Sequence, residues 1–310
     1  MGPELLSVAG FLLLLSIFYR ILEILYNIFY IYVLPKPINL HEKAGASWAV
    51  VTGSTDGIGK GYAFELASRG FNVFLVSRTQ SKLDKTRQEI LQKHSGIQVK
   101  TKAFDFKTSS PKDYRNLLEI LNRVDIGILI NNVGMYYEYP IEMDKVGIEW
   151  LKDLVVVDTL PPTLLTAGIL PQMIARNRGV VVNIGSIAGN LHVPLLAAYS
   201  ASKKYVEWLS SILRLEYSTF NVTIQTIAPF SVATNMAASF DTSFFVPDAF
   251  TFAKSALDTI GHTKETTGYI GHQIQLEVVR LLPGWLVDQI VRRRNEEKQK
   301  VMMANLLKTK

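Results

Sequence analysis

The feature that most constrains the fold is a regular alternation of short apolar runs with longer, helix-like segments. The runs are rich in β-branched residues: WAVVT (48–52), NVFLV (72–76), QVKTKAF (98–104), IGILI (126–130), VVVNI (180–184) and VTIQTIA (222–228). This alternation predicts βαβ units and a parallel sheet. Continuously apolar strands are typical of a sheet that is covered by helices on both faces. We therefore predict an α/β fold with a doubly wound parallel sheet.

The composition excludes several classes of site. The chain has 310 residues and no cysteine, which excludes disulfides, thiolate metal sites and cysteine nucleophiles. Its five histidines show no metal-ligand spacing, so no metal site is predicted. The net charge of +6 is modest and its basic excess is concentrated in RRRNEEKQK (292–300). A local basic tail of this kind does not indicate a nucleic-acid-binding face.

The first 34 residues predict a hydrophobic membrane anchor. The stretch from Leu5 to Leu34 is apolar apart from a few residues. As a helix, it is long enough for one span of a hydrocarbon core about 30 Å thick. A monotopic hairpin and a buried core helix are the alternatives. Lys36 and Lys43 follow the stretch, and this charge distribution favours a cytosolic main domain.

Proline and composition changes suggest four segments. We predict an anchor (1–34), a linker (35–47), a nucleotide-binding catalytic domain (48–284) and a basic C-terminal tail (285–310). The apolar stretch 270–291 either packs on the domain or lies on an anionic membrane surface, and packing is favoured.

A glycine-rich loop follows the first predicted strand. In TGSTDGIG, Gly53, Gly57 and Gly59 allow a tight turn and a close approach to a pyrophosphate at a helix N-terminus. The second strand is followed by Ser77 and Arg78 in place of the carboxylate that is usual for NAD, which favours NADP(H). After the third and fourth strands, Asp105 and NNVG (131–134) would border the same cleft.

A tyrosine and a lysine stand four residues apart in AAYSASKKYVEW (197–208). Tyr199 and Lys203 would lie on one face of a helix. A partly buried ammonium could lower the Tyr199 pKa towards neutral, so that the phenol could act as a general acid and base. Ser186, 13 residues earlier, could hydrogen-bond the same substrate oxygen. Such a pair alone is usually structural, and its place beside a nucleotide loop suggests catalysis.

Taken together, these motifs resemble the short-chain dehydrogenase/reductase family. TGSTDGIG, NNVG, a serine and YSASK occur in that family's order over residues 45–235. IGILINNVGMYYEYP, ILPQM and the anchor look like the branch of 17-beta-hydroxysteroid dehydrogenase type 12 and the very-long-chain 3-oxoacyl-CoA reductases, especially its nematode steroid dehydrogenases. The resemblance implies a Rossmann fold in which Tyr199 is the acid/base, Lys203 its tuner and Ser186 the substrate partner.

The same resemblance implies the residues that contact NADP. These are Gly53, Ser54, Gly57, Ile58, Gly59, Arg78, Asp105, Asn132, Tyr199, Lys203 and Thr234.

One residue departs from the family pattern. Asp158, in VVVDTLPPT, stands where the family usually has an asparagine that helps a water chain reach the lysine. A carboxylate there could draw the Lys203 charge away from Tyr199. Alternatively, Asp158 caps a helix whose first turn contains Pro161 and Pro162. The two interpretations are compatible.

An aromatic segment follows the predicted nucleotide domain core. FDTSFFVPDAFTF (240–252) predicts either a lid over an apolar substrate or ordinary core packing. The rings are Phe240, Phe244, Phe245, Phe250 and Phe252.

We thus expect an NADPH-dependent enzyme that reduces a ketone on a 17-ketosteroid or a long-chain 3-oxoacyl-CoA. The resemblance also implies residence in the endoplasmic reticulum membrane and a homodimer. The alternative is a non-catalytic cofactor- or lipid-binding scaffold, with Asp158 as the trace of a degraded proton relay.

Overall fold

The centre of the protein is a seven-stranded parallel sheet. The computed structural model describes residues 3–34, 36–237 and 241–308. The strands are β1 Trp48–Thr52, β2 Asn72–Ser77, β3 Val99–Ala103, β4 Ile126–Asn131, β5 Gly179–Ile184, β6 Val222–Ile227 and β7 Glu265–Thr266. Their order is β3-β2-β1-β4-β5-β6-β7, so the doubly wound sheet is confirmed. The six runs of apolar residues became β1 to β6, whereas the two residues of β7 were not predicted.

Helices connect the strands and cover both faces of the sheet. They are α1 Pro3–Leu25, α2 Leu40–Ala44, α3 Gly57–Ser68, α4 Gln80–Lys93, α5 Pro111–Leu121, α6 Ile148–Arg176, α7 Ala197–Glu216, α8 Ala249–Asp258, α9 Ile270–Leu281 and α10 Gly284–Lys308. Alternate residues of the central strands point to opposite faces. Val51 joins the core under α3, α4 and α8, and Val50 joins the core under α5 and α6.

A buried polar chain crosses the sheet between the two helices that border the site. The Asn131 side chain on β4 donates to Thr166 on α6 (3.0 Å) and to Asn183 on β5 (2.8 Å). Asn183 in turn donates to Ser210 on α7 (2.8 Å). Because buried polar groups are costly when unpaired, this chain favours one arrangement of α6 and α7 on the sheet.

The N-terminal apolar stretch forms one continuous helix. After Leu25, α1 passes into a π-helical turn, Tyr26–Tyr30, without folding back. The stretch Gly10–Tyr30 has a mean hydropathy of 1.8 and is exposed, so it is long and apolar enough to cross a membrane. Among the described residues α6 also passes this test, but half of it is buried in the core.

The base of this helix is held against the domain. The Asn27 side chain donates to Glu277 on α9 (3.1 Å). The Tyr32 hydroxyl is hydrogen-bonded to Thr266 and to Thr267 (3.0 Å for Thr267). Polar contacts at two places therefore fix the end of the N-terminal apolar helix beside β7 and α9.

The segments at the two ends of the nucleotide-binding region also pack on it. In the predicted linker, Leu40 and Ala44 of α2 are buried, and the His41 ring stacks on Phe71 with centroids 3.9 Å apart. In the predicted tail, the Asn295 side chain of α10 donates to the Pro194 carbonyl (2.8 Å). The four segment boundaries stay a prediction.

Candidate active site

A glycine loop between β1 and α3 forms one side of the site. Gly53 and Gly57 have positive φ angles of 63° and 49°, in the left-handed region that glycine adopts without strain. A Cβ on Gly59 would lie 2.3 Å from the Gly53 carbonyl oxygen, so only glycine fits that turn. The Gly57 N–H donates to the Asp56 side chain (2.7 Å), and the next N–H groups of the first turn of α3 have no carbonyl partner within the helix and can donate to an anion.

Neighbouring residues hold this loop in place. The Asn132 side chain donates to the carbonyls of Thr52 (2.9 Å) and Gly53 (3.3 Å). Ser54 is buried, and its hydroxyl lies 3.5 Å from the Val76 carbonyl. Thr234 lies on the other side of the loop, where its Cγ2 would be 3.1 Å from a Cβ on Gly57.

The residues at this end of the sheet fit an NADP(H) molecule. Ile58 is half-buried in the first turn of α3, below the expected pyrophosphate position. Arg78 and Asp105 are exposed just after β2 and β3, where an arginine suits a 2′-phosphate. When bound, the nicotinamide of this cofactor supplies or accepts a hydride.

The predicted catalytic side chains meet at the carboxyl end of β5 and the start of α7. Tyr199 is 9% exposed, and its hydroxyl is hydrogen-bonded to the Ser186 side chain. The Lys203 ammonium lies one turn further along α7, 5.5 Å from the centre of the Tyr199 ring. The structure therefore brings all three together, with a proton donor, a hydroxyl and a cation at one place.

The pKa of Tyr199 departs from the sequence expectation. Burial raises it well above the ordinary value, the hydrogen bond from Ser186 lowers it, and the Asp158 charge raises it further. A pKa lowered by Lys203 was predicted, and the direction in this arrangement is the opposite. The Lys203 charge is shared with Asp158, which reduces the help that the ammonium gives to a phenolate.

Asp158 is not a helix cap, and that alternative was wrong. It lies inside α6, which begins at Ile148, ten residues earlier. The carboxylate accepts hydrogen bonds from the Met135 N–H (2.8 Å) and the Ser202 hydroxyl (2.7 Å). It also lies 3.7 Å from the Lys203 ammonium, and both groups are almost fully buried. Asp158 is thus an ion-pair partner of Lys203.

Two prolines inside α6 change the backbone at this place. Pro161 and Pro162 have no N–H, so the carbonyls of Val157 and Asp158 lose the donors that a regular helix gives them. Packing of α6 on the sheet and on α7 keeps the helix continuous through these residues. The Asp158 backbone carbonyl oxygen therefore has no donor from Pro162 in α6 and is free to accept a hydrogen bond from a group outside the helix.

Sequence reasoning did not identify Tyr136. Its ring packs edge-on against Tyr199, with centroids 4.9 Å apart and an interplanar angle of 88°. Burial raises the pKa of Tyr136 to about 12, so it is a neutral phenol at physiological pH. The sequence signal that could have identified Tyr136 is the pair of tyrosines that follows NNVG, in the loop after β4.

The second missed element is α10. Its Gln299 side chain donates to Glu142 (2.9 Å), and its Asp288 carboxylate pairs with His192 (3.2 Å). Glu142 and His192 belong to the loops that border Tyr199. The helix that ends the chain is therefore part of the wall of the cleft.

The described phenylalanines of the aromatic segment 240–252 differ in their burial and packing. Phe252 is fully buried in the core, and Phe250 packs edge-on against Phe64 of α3. Phe244 and Phe245 are exposed, and Phe240 lies outside the described residues. The core interpretation is correct for Phe252, whereas Phe244, Phe245 and Phe250 are each about half exposed.

Comparisons with known proteins agree with this geometry. The model of the short chain dehydrogenase family matches residues 47–243. The very-long-chain 3-oxoacyl-CoA reductase let-767 of Caenorhabditis elegans is 60% identical over 285 residues, covering 91% of this chain and 90% of that protein. A C. elegans protein provisionally named steroid dehydrogenase 2 is 53% identical over 290 residues, 93% of this chain and 92% of that one.

A solved structure is similar as well. A short-chain dehydrogenase from Sphingobium yanoikuyae, in complex with NADPH, has a TM-score of 0.61 and 29% identity over 68% of this chain and 82% of that one. The matched family region contains the glycine loop, Ser186, Tyr199 and Lys203. The chain belongs to the short-chain dehydrogenase/reductase family.

Proposed function

We propose that this chain reduces a ketone on a hydrophobic lipid to the alcohol, with NADPH as the hydride donor. The observation that carries the proposal is the hydrogen-bonded pair of Ser186 and Tyr199 beside Lys203. These residues lie at the carboxyl end of the strands, as the glycine loop does. Tyr199 donates its proton to the substrate oxygen as the hydride arrives at the carbon. Ser186 binds the same oxygen, and Lys203 stabilises the phenolate that remains.

The substrate is a long-chain 3-oxoacyl-CoA or a 17-ketosteroid. The names of the relatives support both, and the apolar surroundings of Tyr199 suit either one. These surroundings include the buried side chains Tyr137, Leu154, Ala188 and Leu196.

Substrate preference is tested with the full chain in a membrane. NADPH oxidation is followed with a long-chain 3-oxoacyl-CoA and a 17-ketosteroid offered in parallel, and we expect turnover of at least one of them. Faster reduction of the acyl-CoA assigns the enzyme to fatty-acid elongation, and faster reduction of the steroid assigns it to steroid metabolism. Binding of NADPH without turnover of either ketone would contradict the proposal.

Arg78 should determine the choice of cofactor. Replacing Arg78 with serine removes the cation facing the 2′-phosphate, and one charge-assisted contact is worth about 1.5–3 kcal/mol. We therefore expect Arg78→Ser to weaken NADPH binding roughly 10- to 100-fold, with little effect on NADH, in a fluorescence titration. Arg123→Ser is the matched control, because Arg123 is also exposed but precedes β4, at the amino end of the strands and away from the cofactor. Equal losses for both cofactors would refute this role.

We also propose that the chain is anchored in the endoplasmic reticulum membrane by α1, with the catalytic domain in the cytosol. The exposed apolar surface of α1 and the two lysines after it support this orientation. A homodimer is part of the proposal, since α7 exposes Trp208 and Leu215 and α6 exposes Val155. Such a row of large apolar side chains is typical of a protein interface.

A further inference from the structure

Four large apolar side chains are exposed where α9 meets α10. We call them the α9–α10 patch: Val278, Leu281, Leu282 and Trp285. Leu281 is 62% exposed and Trp285 is 63% exposed. Val278 and Leu281 are three residues apart on one side of α9, and Leu282 and Trp285 flank Pro283, where the chain passes into α10. Contiguous apolar surface of this kind indicates an interaction site.

The rest of α9 explains why this surface is available. The opposite side of the helix is buried through His272, Gln273 and Glu277, and the His272 ring bonds the Ser231 carbonyl (3.0 Å). Pro283 then ends the helix and turns the chain into α10. The predicted packing of 270–291 therefore holds for one side of α9 and leaves the patch uncovered.

The patch lies beside the base of the anchor. Asn27 bonds Glu277, the residue immediately before Val278. Tyr26 and Tyr30 of the anchor line a cavity of about 190 Å³ together with Leu276 and Arg280 of α9. The segment Tyr26–Tyr30 packs against α9, so exposed residues of the anchor such as Phe29 lie near the patch.

The charge of α10 is consistent with an anionic lipid surface. Trp285 is followed by three consecutive arginines, Arg292–Arg294, and then by Lys298 and Lys300. Tryptophan favours the headgroup level of a bilayer, and basic residues near the surface are attracted to anionic lipids. The apolar patch and the basic run belong to the same end of the chain.

We propose that the α9–α10 patch inserts into the headgroup region of the bilayer and forms a second membrane contact beside the anchor. The inference rests on the proposed membrane attachment. Because α10 also bonds the loops around Tyr199, this contact places the mouth of the cleft at the lipid surface. An apolar substrate then enters from the bilayer without crossing water.

The test uses tryptophan quenching by brominated lipids in the full chain. The four tryptophans are Trp48, Trp150, Trp208 and Trp285, and none is in the anchor. The protein is reconstituted into vesicles of phosphatidylcholine and phosphatidylserine with bromine on the acyl chains. Trp285→Phe is compared with Trp208→Phe, because Trp208 on α7 is equally exposed in the single chain, at 65%, but belongs to the proposed dimer interface and not to the patch.

We expect Trp285→Phe to remove at least half of the quenching and Trp208→Phe to leave most of it. Unchanged quenching in Trp285→Phe would overturn the inference. Shielding of Trp285 from both brominated lipid and aqueous acrylamide would also overturn it, because a protein would then cover the patch. Flotation of the vesicles separates the two proposals: protein that fails to float contradicts the anchor, whereas floating protein with unquenched Trp285 contradicts only the patch.

A kinetic measurement tests the consequence for the substrate. Leu281→Asp should raise the KM for a long-chain ketone dissolved in the vesicles at least fivefold, and should leave the kcat for a water-soluble ketone unchanged. Leu91→Asp, at an exposed position on α4, is the control. An equal KM for the two variants would contradict entry from the bilayer.

Discussion

Tyr199→Phe should reduce the kcat for ketone reduction by 10²- to 10⁴-fold, the range typical of a lost general acid. The substitution removes the proton that the substrate oxygen must receive and keeps the ring in its buried position against Tyr136. NADPH affinity should change little. The measurement is single-turnover NADPH oxidation, which separates the chemical step from product release.

Tyr205→Phe is the matched control for this experiment. Tyr205 is on the same helix, is 42% exposed and bonds Thr163 (2.8 Å), so the same atom is removed away from the cleft. Its kcat should equal that of the unmodified chain. If Tyr199→Phe keeps more than a tenth of the rate and Tyr136→Phe does not, Tyr136 is the acid and the proposed mechanism is wrong.

Asp158→Asn should move the pH dependence of the reverse reaction, alcohol oxidation, to lower pH. Oxidation needs the phenolate as a base, so its rate rises as the pH passes the Tyr199 pKa. The Asp158 charge raises that pKa, so its removal should lower it. The pH profile of kcat in the oxidative direction measures this shift.

The same substitution should cost stability. It leaves the buried Lys203 ammonium without a carboxylate, and breaking a buried pair can lower the free energy of unfolding by about 3 kcal/mol. Urea unfolding of the full chain in detergent micelles measures this loss. Asp153→Asn is the control, because Asp153 is on the same helix and pairs with Lys107 (2.8 Å) near the surface. An unchanged pH profile in Asp158→Asn would show that the carboxylate does not tune Tyr199.

The sheet could be predicted from the sequence because most of its strands can be recognised from their own residues, without knowledge of the strands they pair with. Strands β1, β2, β4 and β5 contain consecutive apolar residues, and β3 and β6 contain Val, Thr or Ile interrupted by lysine or glutamine, so each strand can be recognised from a short window. Strand β7 has only Glu265 and Thr266, and it exists because these residues pair with β6. A pairing between residues 39 positions apart leaves no periodic signal in so short a segment.

The proximity of Ser186, Tyr199 and Lys203 could also be predicted, whereas their surroundings could not. A spacing of four residues places Tyr199 and Lys203 on one helix face regardless of the rest of the fold. The pKa of Tyr199 depends on burial and on Asp158, which is 41 residues away in the sequence. The helix-cap interpretation of Asp158 failed because prolines usually indicate the start of a helix. Here packing against the sheet and α7 keeps α6 helical on both sides of Pro161 and Pro162.

The polar contacts at the base of the anchor have a mechanical consequence. In the proposed membrane-bound state, α1 tilts until its apolar length matches the thickness of the hydrocarbon layer. Because Asn27 and Tyr32 fix its end to the domain, the helix cannot swivel independently of the sheet. A change in bilayer thickness is then converted into a rotation of the whole domain, so membranes of different thickness should set different inclinations of the cleft.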